Sequence, residues 1–464
     1  MSLTRTRRRG RTAAALLALM GLALLLSAPP STASAGAAGQ RSGTAGQRSS
    51  QPAHDPAMDQ LSWLIGASAR APLSAAEIEQ HVARQFLTAV GGPASVNQLL
   101  AELGTLTLQQ VQFSEPDLVH AIVASSKVGT LEIELQTDTS GLIMIVLPLG
   151  VSQVAAPRSW HELDMRLRAL APEVSFAAMT MGPERGCRLV HGVSAATARP
   201  LGSAFKLYVL GALGHTIARH KASWNTGLAV HEQWKSLPSG VLQNLPAGTG
   251  LTLRQYADYM ISLSDNTAAD HLIHFLGRDA VQAQLFRFRN RSAERDIPFL
   301  TTRELFALRS ADYPVLADGY LAGSRAQRTA ELAALDRIPL SRLSGWTRPE
   351  MINQIEWFAS PEDICRAYAG LWRENAKPGM SGIGGALSIN DGGIGLDRAR
   401  YPLVWFKGGS EPGVLTLNYL ARASDGQITV SSVMLASPGS AFNEAAIAEE
   451  ALALARGGIL LASR

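Results

Sequence analysis

An α+β fold in two units, a small one followed by a larger one, is what this 464-residue sequence predicts. Three observations predict it. Between 74 and 147, helical periodicity gives way to apolar runs separated by turn residues. From 157 onward, strand-like runs sit at both extremities with a long helical stretch between them. The length exceeds one ordinary domain, and 46% hydrophobic with 17% charged residues is a globular balance.

The N-terminus reads as a secretory signal over 1–35. A basic stretch ends at Arg11, an apolar run covers 13–28, and Ala33-Ser34-Ala35 offers small residues for cleavage. A membrane anchor is the other reading, but the run is short for a bilayer span. Arg8-Arg9 raises the twin-arginine route, against which Gly10 and Arg11 stand where apolar residues are needed. Extracytoplasmic localisation is therefore expected, with no stable span after signal removal. The five Arg ahead of the apolar run outweigh the formal charge of +4 and leave about −1 for the rest. No electrostatic footprint for nucleic acid remains.

Residues 36–56 are rich in Ser, Gly, Ala and Gln and read as a flexible linker. A small α+β domain is expected over 57–152. Ser74-Ala75-Ala76-Glu77 looks like a capping box, and Ile78, Val82, Phe86 and Leu87 mark one helical face. A second helix is expected at 96–103, then strands at 118–125, 130–137 and 142–147. No catalytic constellation falls in this unit.

The larger unit, 157–464, opens with a helix at 160–170 and strands at 174–181 and 186–193. A mainly helical stretch at 204–373 precedes strands at 403–407, 414–422 and 427–435 and a helix at 441–456. One sheet assembled from both ends would carry the terminal helices on one face and the helical region on the other. Cys187 is expected on a strand and Cys365 on a helix. Two separate buried thiols is the preferred reading, and a bridge between them the alternative.

Three motifs follow in order. Ser203-Ala204-Phe205-Lys206 opens an apolar helix, and the i, i+3 spacing sets a Lys amine beside a Ser hydroxyl. A Ser hydroxyl needs a base to become a nucleophile, and a Lys amine serves if burial and neighbouring positive charge lower its pKa. Free N–H groups of the first turn are suited to an oxyanion. Ser264-Asp265-Asn266 lies between two helices. Its Ser hydroxyl suits proton transfer to a leaving group, and its Asn amide suits a substrate carbonyl and Lys206. Lys407-Gly408-Gly409-Ser410 ends a strand, where glycines admit close approach and Lys407 offers charge to an anionic group. The Ser410 N–H is the candidate second oxyanion donor. Each motif alone is ordinary: a helix start, a cap, a hairpin. The conjunction carries weight because two of only six Lys in the chain fall in it.

With these motifs, 157–464 resembles the class A β-lactamases and penicillin-binding serine hydrolases, whose signatures are Ser-x-x-Lys, Ser-Asp-Asn and Lys-Thr/Ser-Gly. The two-domain layout and the run Phe406-Lys407-Gly408-Gly409-Ser410-Glu411-Pro412-Gly413 are similar to a narrower actinobacterial group associated with clavulanic acid biosynthesis clusters. The resemblance implies a five-stranded antiparallel sheet with helices on both sides, an acyl-enzyme on Ser203 and no cofactor. It places catalytic roles on Ser203, Lys206, Ser264 and Lys407, and substrate binding on Asn266, Gly409 and Ser410. Small esters, β-lactams or cell-wall peptides are the implied substrates.

The chain departs from that family in three places. Gly408 replaces a hydroxyl residue. No Glu-x-x-Leu-Asn run lies between Ser264 and Lys407 to activate a deacylating water. Glu304 and Glu356 read as surface or structural carboxylates. The 143 residues from Ser264 to Lys407 exceed the family's spacing by tens of residues. Weak esterase or peptidase-like activity with poor lactamase turnover is expected. A non-catalytic receptor for cell-wall peptides or β-lactams is the alternative, and a structural protein acting through its N-terminal domain a further one. No metal is expected: His271 and His274 lie three apart on a helix without a Glu-containing zinc pattern.

Overall fold

The computed structural model describes residues 55–150, 152, 154–182 and 186–464, with the side chains of 444–446 outside that description. The expected leader and all but the end of the expected linker lie outside the described residues. That end is helical: Asp55 caps α1 (Pro56–Ser68) by accepting from Met58 N, and Pro56 begins the first turn.

Ser74 caps α2 (Ala75–His81) as expected, accepting from Glu77 N. The single helical face expected through Ile78, Val82, Phe86 and Leu87 is instead broken. Val82 is extended and bridges Ile143, Ala83 N donates to Ile143 O (2.9 Å), and α3 (Arg84–Val90) starts afresh. All four side chains remain buried, so the apolar spacing reported burial correctly and the backbone between them wrongly. β-branched Val82 suits the extended partner. After α4 (Pro93–Leu103) come β1 (Leu106–Glu115), β2 (Leu118–Ser125), β3 (Gly129–Thr137) and β4 (Ile143–Gly150), an antiparallel meander. The sequence reading missed β1, an edge strand whose middle is exposed on both faces and shows no alternation. In β3, Leu131, Ile133 and Leu135 join the apolar core while Glu132, Glu134 and Gln136, on the opposite face, are also buried. The C-terminal unit covers that second face: Asp391 N donates to Glu134 Oε1 (2.7 Å).

In the larger unit, α5 (Trp160–Arg168) leads to β5 (Glu173–Met181) and β6 (Cys187–Val193). The helical region holds α6 (Lys206–Ala218), α7 (Leu253–Ser262), α8 (Asn266–Leu276), α9 (Arg278–Arg287), α10 (Thr302–Ser310), α11 (Val315–Ala322), α12 (Arg325–Leu335), α13 (Pro361–Asn375) and α14 (Gly382–Ser388). Then come β7 (Leu403–Glu411), β8 (Val414–Arg422), β9 (Ile428–Ala436) and α15 (Glu444–Ala462). The five strands form one antiparallel sheet in the order β7-β8-β9-β5-β6, joined from both ends of the segment as the pattern required. α5 and α15 cover one face, and α13 and α14 pack on the other. Helix α6 is buried from Lys206 to Gly214, as a helix apolar on every side should be. The third motif lies inside β7 rather than at a strand end, because the ladder continues to Glu411 opposite Val414.

Cys187 and Cys365 form a disulfide, with Cα atoms 6.2 Å apart. This corrects the expectation of two separate thiols. Helix α13 packs on β6, so residues 178 apart in sequence come within bridging reach. Replacing both by Ser frees a long loop in the unfolded chain and is expected to cost about 2–4 kcal/mol. Urea unfolding of the variant beside the oxidised and reduced native chain checks this.

Candidate active site

Ser203 sits in a 3-10 turn (Gly202–Phe205) that runs directly into α6 at Lys206. The spacing does what it predicted: Lys206 Nζ lies 3.1 Å from Ser203 Oγ. Ser264 joins α7 to α8 with a left-handed backbone, φ +54°. A non-glycine residue there costs about 1–2 kcal/mol. A local hydrogen-bond set holds it. Ser239 Oγ donates to Ser264 O (2.6 Å) and Asn266 N donates to Ser239 O (3.0 Å). The buried Asp265 carboxylate accepts from Val241 N (2.6 Å), Leu242 N (2.8 Å) and Ala268 N (2.7 Å). Asp265 thus staples the 239–242 loop to the start of α8, a role the sequence reading did not assign although the residue was in its motif. Lys407 approaches from β7 and donates to Ser264 Oγ (2.9 Å) and Gly408 O (2.7 Å). Its own carbonyl is held by Asn418 Nδ2 (3.0 Å), and Ser432 Oγ donates to Asn418 Oδ1 (2.7 Å).

The Lys206 amine is fully buried. It faces Ser264 O (2.5 Å), Asn266 Oδ1 (2.7 Å), Ser203 Oγ and Ser264 Oγ (3.3 Å). Burial lowers its pKa to about 7, against the pull of the Asp265 and Asp270 carboxylates. Lys407 is pushed well below the usual lysine value, first by burial and then by the charge of Lys206. Two ammonium groups around one hydroxyl in a dry site disfavour each other, so the pair gives up a proton far more easily than exposed lysines do. A carbonyl and an amide oxygen accept only, so a neutral Lys206 spends both hydrogens on Ser264 O and Asn266 Oδ1. Its lone pair is then left for a serine hydroxyl.

These groups surround one cleft of about 420 Å³, lined by Ser203, Ser264, Asn266, Lys407, Gly409 and Ser410, with Lys206 behind them. All seven residues singled out from the sequence therefore meet in space. Asn266 Nδ2 donates to Leu237 O (3.0 Å), so part of the amide expected to meet substrate is held by the protein itself. Gly409 packs on the turn that carries Ser203: a Cβ there would lie 2.2 Å from Leu201 O and 2.6 Å from Ser203 N. The Ser203 and Ser410 amides consequently lie on facing stretches of backbone. Gly409→Ala should push those stretches apart and lower acylation on the order of 10²-fold, the scale of one lost oxyanion donor. Single-turnover acylation kinetics measure it.

Residues 179–311 match the family model described as the beta-lactamase enzyme family. The C-terminal domain has a β-lactamase-like fold. Residues 52–143, ahead of it, match the model described as ORF 12 gene product N-terminal. No curated protein matches the chain. Similar solved structures include a β-lactamase from Sphaerobacter thermophilus, 18% identical over 66% of this chain and 97% of that one, with a TM-score of 0.46. A class A β-lactamase from Mycobacterium abscessus is 16% identical over 65% and 98%, TM-score 0.43. PBP-A is 13% identical over 67% and 98%, TM-score 0.42.

Within the β-lactamase-like domain, the absent hydroxyl at 408 has a steric cause. A Cβ on Gly408 would lie 2.8 Å from the Phe406 ring, which stacks on Tyr419. Glu304 is structural, as expected. It closes the capping box of α10 and pairs with Arg278 (2.6 Å). Of the two readings left open for Glu356, surface or structural, the structural one holds. The residue is buried in the cleft wall, where its Oε2 accepts from Gly202 N (3.2 Å) and Trp357 N (2.8 Å). Burial and the neighbouring Glu411 raise its pKa well above the usual carboxylate value, against the pull of Arg309. Leu305, Phe306, Trp346 and Trp357 make much of the remaining wall apolar. His271 is buried, its Nδ1 2.7 Å from Thr267 O and its Nε2 accepting from His231 N (2.8 Å), so both ring nitrogens are used by backbone.

Proposed function

We propose that the protein is a serine hydrolase that forms an acyl-enzyme on Ser203 with small esters, β-lactams or peptide-like carboxylate substrates. The observation that carries this is the Lys206 amine, buried, lowered in pKa and aimed at Ser203 Oγ with its other partners acceptor-only. Lys206 takes the Ser203 proton as Oγ attacks the carbonyl carbon. The Ser203 and Ser410 amides receive the developing oxyanion. Ser264 passes a proton to the leaving group from the Lys206 side and is held by Lys407. Lys407, with Ser410, meets the carboxylate of the substrate, whose charge favours the protonated amine.

Deacylation is the slow step for lactams in this reading. The cleft wall offers apolar side chains and a Glu356 whose Oε2 is already held by two backbone N–H groups and whose pKa is raised by burial, where a free ionised carboxylate would be needed to activate water. Esters with good leaving groups still acylate readily, and their small acyl groups admit water. The protein is proposed to act outside the cytoplasm, a reading supported by the signal-like N-terminus and by a disulfide between its only two cysteines. Among the described residues, no helix is long and apolar enough to cross a membrane.

The test is mass spectrometry of the intact protein after exposure to penicillins, cephalosporins and an activated acetyl ester. A long-lived lactam adduct on Ser203 and a short-lived acetyl adduct are expected. Rapid turnover of ordinary penicillins would contradict slow deacylation. Reversible binding with no adduct from any reagent would favour the receptor reading.

A further inference from the structure

A second cluster of chemistry-bearing side chains lies outside the cleft, between the N-terminal sheet and the loop after α14. His120 stands on β2 directly opposite Glu134 of β3, and Glu132 shares that face two residues earlier. Asp391 comes from the C-terminal unit, 257 residues from Glu134. Each of the four offers a ligand atom, and these atoms lie within 4.8 Å of one another. His120 Nδ1 is 3.8 Å from Glu132 Oε1 and 3.6 Å from Glu134 Oε1. None of the four is more than 1% exposed. Glu132 Oε1 and Glu134 Oε2 are buried with no hydrogen-bond partner. Buried polar atoms are paired in folded proteins almost without exception, so such oxygens point to a ligand.

We propose that His120, Glu132, Glu134 and Asp391 bind one divalent first-row transition-metal cation that clasps the N-terminal domain to the wall of the active-site cleft. One imidazole with three carboxylates is a donor set suited to Zn²⁺ or Mn²⁺. The charge count agrees. Arg398 donates to Asp391 Oδ2 (2.7 Å) and lies 3.0 Å from His120 Nδ1, and it is the cation paired with the cluster. One guanidinium against three carboxylates leaves two negative charges uncompensated, the amount a divalent ion supplies. Arg398 then holds the outer oxygen of Asp391 and orients it, as groups around metal ligands do. Asp391 stands between Asn390 and Gly392, which both line the cleft, and Asn390 Nδ2 donates to Ser262 O (2.8 Å). The cation would thereby fix one side of the catalytic cavity from the neighbouring domain. This site does not depend on the chemistry proposed for Ser203.

Full-length protein treated with a chelator and dialysed is titrated with Zn²⁺ and, separately, Mn²⁺. Retained metal is measured by plasma mass spectrometry and melting temperature by calorimetry. One equivalent retained and a rise of at least about 3 °C are expected for one or both ions. The isosteric double variant Glu132→Gln/Glu134→Gln should lose both effects. No stoichiometric retention and no shift with either ion would overturn the proposal, as would retention undiminished in the double variant. Should that variant not fold, Co²⁺ added to the native chain decides. Ligand-field bands of a protein-bound ion support the site, and a spectrum no different from aqueous Co²⁺ sinks it.

Discussion

Ser203→Ala is expected to abolish covalent labelling by penicillins and fluorophosphonates and to lower ester turnover by about 10⁴-fold or more. The Ser203 hydroxyl sits both within 3.1 Å of the Lys206 amine and on the turn whose amides face β7. Removing it leaves the oxyanion donors and the binding surface intact, so the residual rate measures those alone. The fold should survive. Ser203 is only half-buried, and its hydroxyl contact is a local one to Lys206, three residues on. Active sites commonly hold groups in arrangements that cost stability, so the variant should melt at or slightly above the native temperature. Labelling with retained stoichiometry in this variant would place the nucleophile elsewhere, and peptide mapping of the adduct would say where.

The second large effect belongs to Lys206. With a pKa near 7, its amine is protonated and inactive as a base in acid and neutral above that value. Acylation by an uncharged ester should therefore rise about tenfold per pH unit below pH 7 and level off above it. The uncharged substrate matters, because Lys407 also faces Ser264 and its lowered pKa would add a loss of anion binding at high pH. Lys206→Arg keeps the charge but cannot give up its proton, so it should lose about 10²–10⁴-fold in kcat/KM and the rise through pH 7 together. Stopped-flow acylation across pH 5–9 tests both. A flat profile in the native protein would mean that another group takes the Ser203 proton. The same pKa has a stability consequence. The unfolded chain keeps this proton up to about 10.5 while the folded one releases it near 7. Between those values the unfolded state binds more protons, so this group makes stability rise with pH across that window.

Much of this site was legible from residue order. Ser-x-x-Lys at a helix start sets two side chains on one face without any tertiary information, and the observed 3.1 Å contact follows from that spacing. Apolar runs marked all five strands of the main sheet, and their split between the ends of 157–464 implied one sheet joined from both sides. Local signals failed where a distant partner decided the conformation. Val82 leaves a helical pattern to meet Ile143. Strand β1 has no buried face to advertise itself. Glu356 was open between a surface and a structural carboxylate, and only the tertiary contact with the turn before Ser203, which uses it as an acceptor, decides for the structural role.

Sequence alone thus determined which motifs the chain carries: a serine paired with a lysine at one helix start, a Ser-Asp-Asn link, and a lysine followed by glycines on a strand. These are properties of spacing within one or two turns of backbone, and such distances are set by covalent geometry. Tertiary structure alone decided how the pieces act on one another. It buried Lys206 and Lys407 around one hydroxyl, closed the bridge from Cys187 to Cys365, and gathered His120, Glu132, Glu134 and Asp391 across a domain contact. Proton affinity, bridging reach and ligand sets depend on neighbours hundreds of residues away and on how much water packing removes, and neither is written in local order.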